Sequence, residues 1–184
     1  MFIRYDDLTI QLSHASNFDP FSADNSKSYT NAYIESNEFR NNSLHGISVY
    51  KNEDEISNAV IGAGGGATGI HQTCCLIKND VLFVCCGQKV YALLLPSLNL
   101  YWDRTLDMAT CFEIYEYEDD LIVHGEVEIS RLTTAGETKW QFSGRDIFVT
   151  MDGKKEFQII EGGITLIDFQ GYKYVLDGNG KLIE

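Results

Sequence analysis

The chain is poor in cationic residues. Its 184 residues include 14 lysines and arginines against 27 aspartates and glutamates, which gives a formal net charge of −13 at pH 7. General nucleic-acid binders and proteins that bind anionic membranes need a cationic face. We therefore expect neither nucleic acid nor membrane among its partners. A basic protein is the partner that this charge favours.

Long apolar runs are also missing. The longest lies near Val90 to Leu95, far short of the roughly 20 residues that a membrane-spanning helix needs. Residues Met1 to Asp7 have no basic region followed by an apolar stretch, so no signal peptide is predicted. We expect a soluble, cytoplasmic protein. An odd number of cysteines, five in total, is consistent with free thiols in that compartment.

No segment has the apolar spacing of a helix. Only two prolines, Pro20 and Pro96, occur, so proline is not what excludes helices. Apolar residues instead alternate with polar ones in short runs that are separated by turn residues. This pattern predicts antiparallel hairpins and an all-β fold. The predicted hairpins have their turns at residues 52–54, 78–80, 96–97, 135–136 and 177–180.

The length predicts one domain. At about 150 residues per domain, the 184 residues with 44% hydrophobic content form a single all-β domain over 1–184. Residues 1–45 are rich in serine and asparagine and are predicted to be a loop-rich segment with one strand near residues 29–34. Residues 46–184 hold the hairpin repeats. The N-terminal segment is a candidate cap for the exposed end of such an array.

Several residues recur at similar spacings. Trp102 and Trp140 are 38 residues apart, and Gly136 and Gly180 are 44 residues apart. A period near 40 with several strands in each unit is typical of propeller blades or of a repeated meander. The sequence therefore predicts a propeller-like array with few blades or a β-sandwich built from similar hairpins.

The repeated unit carries a family resemblance. Residues 130–140 begin with a small residue, reach Gly136 six residues on and end in Trp140, and they resemble a repeat of quinoprotein-type (PQQ-like) β-propellers. Residues 92–102 keep the spacing but have Leu98 in place of glycine. The resemblance covers about residues 76–184. It implies hairpins closed by glycine, with tryptophan packed against a neighbouring blade. It carries over no cofactor-binding residue, and we expect no cofactor.

A glycine-rich segment, Gly62 to Gly69, follows a predicted strand. Its glycines match a degenerate dinucleotide fingerprint, but that motif needs a following helix, and the next residues have the pattern of a strand. Three interpretations remain: a tight backbone passage, a flexible loop between sheets, or a recognition loop that binds through Gly64, Gly65 and Gly66. The candidate polar groups beside such a site are His71, Tyr101 and Asp103.

The five cysteines come as two vicinal pairs, Cys74-Cys75 and Cys85-Cys86, and the single Cys111. A zinc site from His71 and two of these thiols is one hypothesis. However, vicinal cysteines lack the C-x-x-C spacing that brings two thiolates to one metal ion from a single turn. Buried cysteines behave as small hydrophobic residues. We therefore predict core packing and no metal site.

An acidic and aromatic run occupies residues 112–120. In strand geometry Glu113, Tyr115 and Tyr117 share one face, and Phe112, Ile114 and Glu116 share the other. One interpretation is a solvated strand end before a turn. The other is a surface for a basic protein, because tyrosine anchors interfaces and carboxylates speed encounter with a cation. The candidate binding residues are Glu113, Tyr115, Glu116, Tyr117, Glu118, Asp119 and Asp120.

No catalytic motif is present, so a non-enzymatic function is predicted. The four histidines are scattered, and neither a nucleophile elbow nor a metalloprotease motif occurs. The charge favours a binding protein, in its specific form an immunity or antitoxin-like protein that masks a basic toxin or nuclease. The alternatives are a small-molecule binder or enzyme with its site at Gly62–Gly69, and a structural role in assembly. The sequence leaves the oligomeric state open.

Overall fold

The computed structural model describes residues 1–34, 42–150 and 155–183. Every regular element within these ranges is a strand, which confirms the all-β prediction. Among the same residues, no helix is long and apolar enough to cross a membrane.

The described strands form four sheets. The first sheet contains β1 (Phe2–Tyr5), β2 (Leu8–His14), β3 (Asn31–Ile34), β4 (Ser43–Lys51) and β5 (Asp54–Ala63). The second contains β6 (Cys75–Lys78), β7 (Val81–Cys86), β8 (Lys89–Leu94) and β9 (Asn99–Thr105). The third contains β10 (Cys111–Tyr117), β11 (Asp120–Gly125), β12 (Glu128–Leu132) and β13 (Thr138–Ser143). The fourth contains β14 (Phe157–Ile160), β15 (Gly163–Ile167) and β16 (Lys173–Asp177).

Three of these sheets are plain antiparallel meanders in chain order. The first differs, because its spatial order is β1-β2-β4-β5-β3. There β3 forms the outer edge and runs parallel to β5, although it precedes β4 in the chain.

The prediction of a loop-rich segment over residues 1–45 needs correction. β1 and β2 pair as an antiparallel hairpin within it. Ile10 and Leu12 alternate with polar residues and are buried on one face of β2, a strand pattern that the surrounding serines and asparagines conceal. The boundary between residues 45 and 46 is also misplaced, since β4 runs across it. The strand expected near residues 29–34 is present as β3.

Four of the five predicted hairpins are present, between β4 and β5, β6 and β7, β8 and β9, and β12 and β13. The φ values at Asn52 and Glu53 are 51° and 72°, and those at Asn79 and Asp80 are 53° and 59°. Such two-residue turns match the right-handed twist of the flanking strands. The fifth hairpin is reduced to one bridge, between residues 176 and 182.

Apolar side chains between successive sheets form the core. Leu82 and Val84 of β7 belong to the cluster shared with the first sheet, whereas Phe83 and Cys85 belong to the cluster shared with the third. β7 is therefore buried on both faces. A further cluster, which includes Phe157, joins the third and fourth sheets. The sheets stack face to face in chain order.

The cysteines lie inside these clusters as free, buried thiols. Cys85 and Cys86 are on opposite faces of β7, as the strand period requires. Burial raises the pKa of the Cys86 thiol to about 12. The predicted core packing is confirmed. Over the described ranges, no group of three His, Cys, Asp or Glu side chains is placed to hold a metal ion.

Residues 15–30 cover the outer face of the first sheet. The Tyr29 hydroxyl lies over Gly46 and leaves no space there for a side chain. Lys27 Nζ donates a 2.7 Å hydrogen bond to Ser48 Oγ. Gly46 and Ser48 are on the face opposite to the first core cluster. This segment therefore caps the array on its first side.

Candidate binding surface

The side chains of β10, which carries most of the predicted binding run, alternate between two neighbouring sheets. Tyr115 and Tyr117 face the fourth sheet, and the Tyr115 ring stacks on Phe157 with centroids 5.0 Å apart. Ile114 packs against the second sheet, and Glu116 forms a 2.7 Å ion pair with a lysine there. The predicted alternation is confirmed for residues 113–117, whereas Phe112 lies at the register shift between Cys111 and Glu113 and contacts the ring of His124. The expected exposure is not confirmed, since Tyr117 is only 8% exposed.

Glu113 is held in a hydrogen-bond network. Its carboxylate accepts a 2.7 Å bond from Thr73 Oγ1 and lies 2.9 Å from Nδ1 of His124. Burial raises the pKa of Glu113, but hydrogen bonds from His124, Thr73 and Tyr115 outweigh it and lower the pKa to about 2. Burial and this same carboxylate raise the pKa of Tyr115 well above its usual range. Glu113 is thus a charged group with internal partners.

His124 is buried with a hydrogen-bond acceptor at each ring nitrogen. Nδ1 lies 2.9 Å from Glu113 Oε2, and Nε2 lies 3.2 Å from the carbonyl oxygen of Phe148. The ring also stacks on Phe157 with centroids 5.1 Å apart. Through His124, the third sheet therefore contacts Phe157 of the fourth sheet and Phe148 in the segment before the fourth sheet.

Cations compensate the acidic residues at the end of the run. Arg131 donates to Glu118 and to Asp120, each over 2.6 Å, and its guanidinium lies 4.8 Å from the ring centre of Tyr117. Lys139 donates a further 2.7 Å bond to Asp120. Burial raises the pKa of Asp120, but the bonds from Lys139 and Arg131 outweigh it and lower that pKa. Asp120 is 4% exposed and has a structural role.

The first turn of each sheet carries at least one exposed carboxylate. These turns join β1 to β2, β6 to β7, β10 to β11 and β14 to β15. Neighbouring turns touch: Tyr5 Oη donates to Asp80 over 3.0 Å, and Lys78 Nζ donates to the backbone oxygen of Glu118 over 3.1 Å. The turns therefore gather at one end of the stack. We call their exposed carboxylates the acidic turn edge: Asp6, Asp80, Asp119 and Glu161.

A cleft of about 560 Å³ opens at this end between the third and fourth sheets. Tyr117, Glu118, Arg131 and Trp140 line it together with the turn at Gly162. Its charged walls, Glu118 and Asp177 against Arg131 and Lys139, balance each other. The cleft extends the acidic turn edge without adding to its charge.

The glycine-rich loop packs against neighbouring connections, and its backbone forms hydrogen bonds within the fold. Gly66 N donates to Ala109 O over 2.9 Å. Gly65 has a φ of +81°, and a Cβ on it would collide with the same carbonyl. Thr68 is buried, and its hydroxyl accepts a 2.8 Å bond from Gly87 N. These contacts are those of a tight backbone passage, the first of the three sequence-based interpretations.

The two predicted sites lie at opposite ends of β10. Its first residue, Cys111, accepts a 3.0 Å bond from Thr68 of the glycine-rich loop. Its last residue, Tyr117, leads into the turn with Glu118 and Asp119. Seven strand residues separate the two ends by about 20 Å. Gly64–Gly66 and the acidic run therefore do not form one site.

The polar groups proposed beside the loop have other surroundings. His71 Nδ1 lies 3.0 Å from Thr73 Oγ1. Asp103 forms a 2.8 Å ion pair with Lys89. Tyr101 is half-exposed on β9, the outer strand of the second sheet. These contacts give no specific support to a small-molecule site.

The two tryptophans dock on the next sheet in the same way. Trp102 of β9 covers Gly136, and its Nε1 donates to a backbone carbonyl of that turn over 3.0 Å. Trp140 of β13 covers Gly180 with an equivalent bond of 3.1 Å. The φ values of these glycines are +83° and +75°, and a Cβ on either would lie within 3 Å of the indole. The tryptophan packing implied by the sequence is confirmed.

The first junction uses a tyrosine instead of a tryptophan. Leu98 stands at the glycine position with a φ of 57°. Tyr33 Oη donates to Leu98 O and accepts from Leu100 N, each over 3.1 Å. Tyr33 lies on β3, the outer edge of the first sheet. The out-of-order strand therefore supplies the docking aromatic residue.

The stacked meanders and their repeated junctions characterise the fold. No family model and no curated protein matches the chain. Among solved structures it is similar to BamB from Moraxella catarrhalis, with 18% identity and a TM-score of 0.53 over 76% of the chain. It is similar to the computationally designed Ika8 protein, with 9% identity and a TM-score of 0.53 over 80%. It is also similar to the WD40 β-propeller domain of Doa1, with 12% identity and a TM-score of 0.50 over 85% of the chain.

The fold is propeller-like. The resemblance to quinoprotein-type propeller repeats is thereby confirmed at the level of fold, and the four sheets are blades one to four. The chain spans about half the length of these structures, 42%, 46% and 53% respectively. Identities this low establish the fold alone.

Sequence reasoning missed the cations that neutralise the acidic run. Arg131 and Lys139 come from β12 and β13, 11 and 19 residues beyond Asp120. The available signal was Arg131 itself, a single cation between Ser130 and Leu132 in a strand whose residues after Glu128 are otherwise apolar or small. A buried cation in such a position needs a carboxylate partner.

Proposed function

We propose that the chain is a non-enzymatic binding protein that captures a basic protein on its acidic turn edge. The observation that carries the proposal is that the first turn of every blade presents an exposed carboxylate at the same end of the fold. Contacts between neighbouring blades hold these turns in fixed positions, which favours a preorganised surface. Propeller folds commonly mediate protein interactions, in agreement with this assignment.

The proposal keeps the basic partner predicted from the sequence but changes the residues. Glu113 is hydrogen-bonded to Thr73 and lies 2.9 Å from a ring nitrogen of His124, whereas Glu116 and Asp120 form ion pairs with lysines. These three carboxylates therefore have partners within the fold. Asp119 is exposed, and no lysine or arginine within residues 1–34, 42–150 and 155–183 forms an ion pair with it. The binding surface therefore shifts from the face of β10 to the turn that follows it.

In its specific form the proposal is an immunity or antitoxin-like role in the cytoplasm. A net charge of −13 attracts a basic toxin or nuclease over long range, and opposite charge speeds association. Fast capture is what a masking protein needs. Because the Debye length falls from about 10 Å at 0.1 M salt to about 3 Å at 1 M, such binding weakens as salt is added.

A matched pair of charge reversals tests the surface. The immobilised chain is incubated with lysate of the source cell at low and high salt, as wild type, Asp119→Lys and Asp24→Lys. Both aspartates are exposed, but only Asp119 belongs to the acidic turn edge. We expect a basic protein to bind the wild type at low salt. Asp119→Lys should weaken binding at least fivefold, which is roughly 1 kcal/mol.

The control variant Asp24→Lys carries the same change of charge and should bind almost as the wild type does. Equal losses in both variants would mean that net charge, and not the acidic turn edge, governs binding. Capture that is unchanged between low and high salt would contradict the electrostatic proposal altogether.

A further inference from the structure

We infer that Cys74 and Cys75 form a redox-active dithiol, which a low-molecular-weight disulfide such as oxidised glutathione converts to a disulfide between these two neighbouring residues. The two vicinal cysteine pairs of the chain differ in geometry. Cys85 and Cys86 point to opposite faces of β7 and belong to different core clusters, whereas Cys74 and Cys75 belong to the same cluster. Of the two pairs, Cys74-Cys75 alone brings its sulfurs together.

The turn before β6 places both thiols on the same side of the second blade. Cys74 N donates to His71 O over 3.2 Å and closes this turn, and β6 begins only at Cys75. The alternation of side chains along a strand therefore does not separate the two residues. The Cys75 thiol donates a hydrogen bond to the Cys74 sulfur. The two sulfurs are thus in contact before any reaction.

The pair opens to solvent at Cys75. A cavity of about 470 Å³ lies between residues 1–5 and residues 72–77, and Cys75 lines it. Cys75 is 7% exposed, whereas each of the other four cysteines is 0% exposed. Arg4 lines the same cavity and offers a cation to an anionic reagent such as oxidised glutathione. A small disulfide therefore has a route to this pair in the folded chain.

The hydrogen bond between the two thiols supplies the nucleophile. It lowers the pKa of Cys74, the acceptor, to about 7 against the effect of burial, and it raises the pKa of Cys75, the donor, above its usual range. Near neutral pH the pair therefore loses one proton and shares the other. Burial raises the pKa of Cys86 to about 12, so that thiol stays protonated. A thiolate beside a second thiol is the arrangement found in redox-sensing cysteines.

The reaction proceeds in two exchanges. Movement of the shared proton to Cys74 leaves the thiolate on Cys75, which attacks one sulfur of the reagent, and the S–S bond of the reagent breaks as the first thiolate leaves with the electron pair. Cys74 then gives its proton to that thiolate and attacks the Cys75 sulfur, which expels the second thiolate. The two cysteines lose two electrons and the reagent gains two, with one thiol and one thiolate released.

The disulfide between neighbouring residues is readily reduced. Across a trans peptide, consecutive Cα atoms are about 3.8 Å apart, less than the roughly 4.4–6.8 Å that is usual for a disulfide. The bond is therefore strained, and strained disulfides are the labile ones. We expect an excess of reduced glutathione to restore both thiols.

Intact-mass spectrometry of the folded chain tests the inference. The reduced protein is incubated with oxidised glutathione, and the remaining thiols are then alkylated in denaturant. The wild type should keep three alkylated thiols, Cys85, Cys86 and Cys111, and should carry no glutathione. Peptide mapping should place the disulfide between Cys74 and Cys75, and reduced glutathione should return all five thiols.

Alanine variants separate the roles of the two sulfurs. Cys74→Ala should retain one glutathione on Cys75, because no second thiol displaces it. Cys75→Ala should react at least about tenfold more slowly than the wild type, because Cys74 is 0% exposed. Cys85→Ala, from the other vicinal pair, is the matched control and should react as the wild type does. Circular dichroism establishes that each variant is folded.

The second vicinal pair also serves as an internal control. In urea both pairs should react alike, because strand geometry no longer separates Cys85 from Cys86. Five alkylated thiols in the folded wild type after incubation would overturn the inference. A glutathione that persists on Cys75 of the wild type, or formation of a Cys85–Cys86 disulfide in the folded chain at an equal rate, would overturn it as well.

Discussion

Glu113 and Asp119 lie six residues apart and have opposite environments. Glu113 is surrounded by Thr73, Tyr115 and His124, and its pKa falls to about 2. Asp119 lies in a two-residue turn and is exposed. Strand alternation indicates which face a residue occupies, but only the neighbouring blades determine whether that face is covered. The position of a carboxylate in the strand pattern therefore does not by itself show that it is free to bind a partner.

The depressed pKa of Glu113 predicts how stability depends on pH. The folded pKa of about 2 lies below the ordinary value of 4.5, so the charged group stabilises the fold above pH 4.5. This contribution is lost as the pH falls from 4.5 through 2. Glu113→Gln should lower the free energy of unfolding by about 2 kcal/mol at pH 7, allowing for solvent screening, and should flatten the acid-side decrease. Urea unfolding at several pH values measures both effects.

The control for this prediction is Glu116→Gln. Its ion pair with Lys78 has a carboxylate side chain that is 54% exposed, so removing it should cost less than about 1 kcal/mol and leave the acid-side slope unchanged. If the two variants had the same pH profile, the acid sensitivity would not arise from the His124–Glu113 pair.

At the level of strands and turns, the junction between consecutive blades is the repeated unit of stability. Trp102 and Trp140 each pack on a turn glycine of the next blade. At the first junction Tyr33, from a strand earlier in the chain, takes the same place over Leu98. The tryptophan spacing predicted two of these junctions. The third needed the position of β3, which pairs with β5 through a long-range, parallel contact.

The fit between tryptophan and glycine can be measured by comparing alanine substitutions. Gly180 and Gly171 both have positive φ, +75° and +86°, so alanine strains the backbone at either position. Only Gly180 lies against an indole ring, whereas nothing approaches within 4 Å of the Cβ position at Gly171. Gly180→Ala should therefore destabilise the fold by about 1–3 kcal/mol more than Gly171→Ala does, measured by chemical unfolding. Equal costs would contradict the packing role of Trp140.

The tyrosine junction gives a second prediction at this level. The Tyr33 hydroxyl both donates to Leu98 O and accepts from Leu100 N. Tyr33→Phe keeps the ring but loses both bonds, and should lower the free energy of unfolding by about 1–2 kcal/mol. The half-exposed Tyr101 on β9 is the matched position, and Tyr101→Phe should change stability by less than about 0.5 kcal/mol. A neutral Tyr33→Phe would show that the hydroxyl bridge adds no stability.

In the whole molecule, the two ends of the strands carry different residues, and the outer faces of the first and last blades are covered differently. The acidic turn edge and the glycine-rich loop lie at opposite ends of the strands, so the two sequence-based hypotheses concern separate places. Blade one is covered on its outer side by residues 15–30, and blade four presents apolar side chains. The charges of residues 155–183 nearly cancel, with three lysines against four carboxylates, although the whole chain has a net charge of −13. Salt should weaken capture of a basic protein at the acidic turn edge.

Local pattern was sufficient for the hairpins, the near-40-residue period and the packing of Trp102 and Trp140, because these features depend on residues close in the chain or on regular spacing. The N-terminal strands β1 and β2 were not predicted, because their alternation of apolar and polar residues is short and lies among polar residues. Tertiary structure was needed to pair Arg131 with Asp120, to bury Tyr117 and to place Tyr33 over Leu98. Each of these contacts joins different strands or blades. A residue's own strand indicates which way its side chain points, and the next blade determines what it meets.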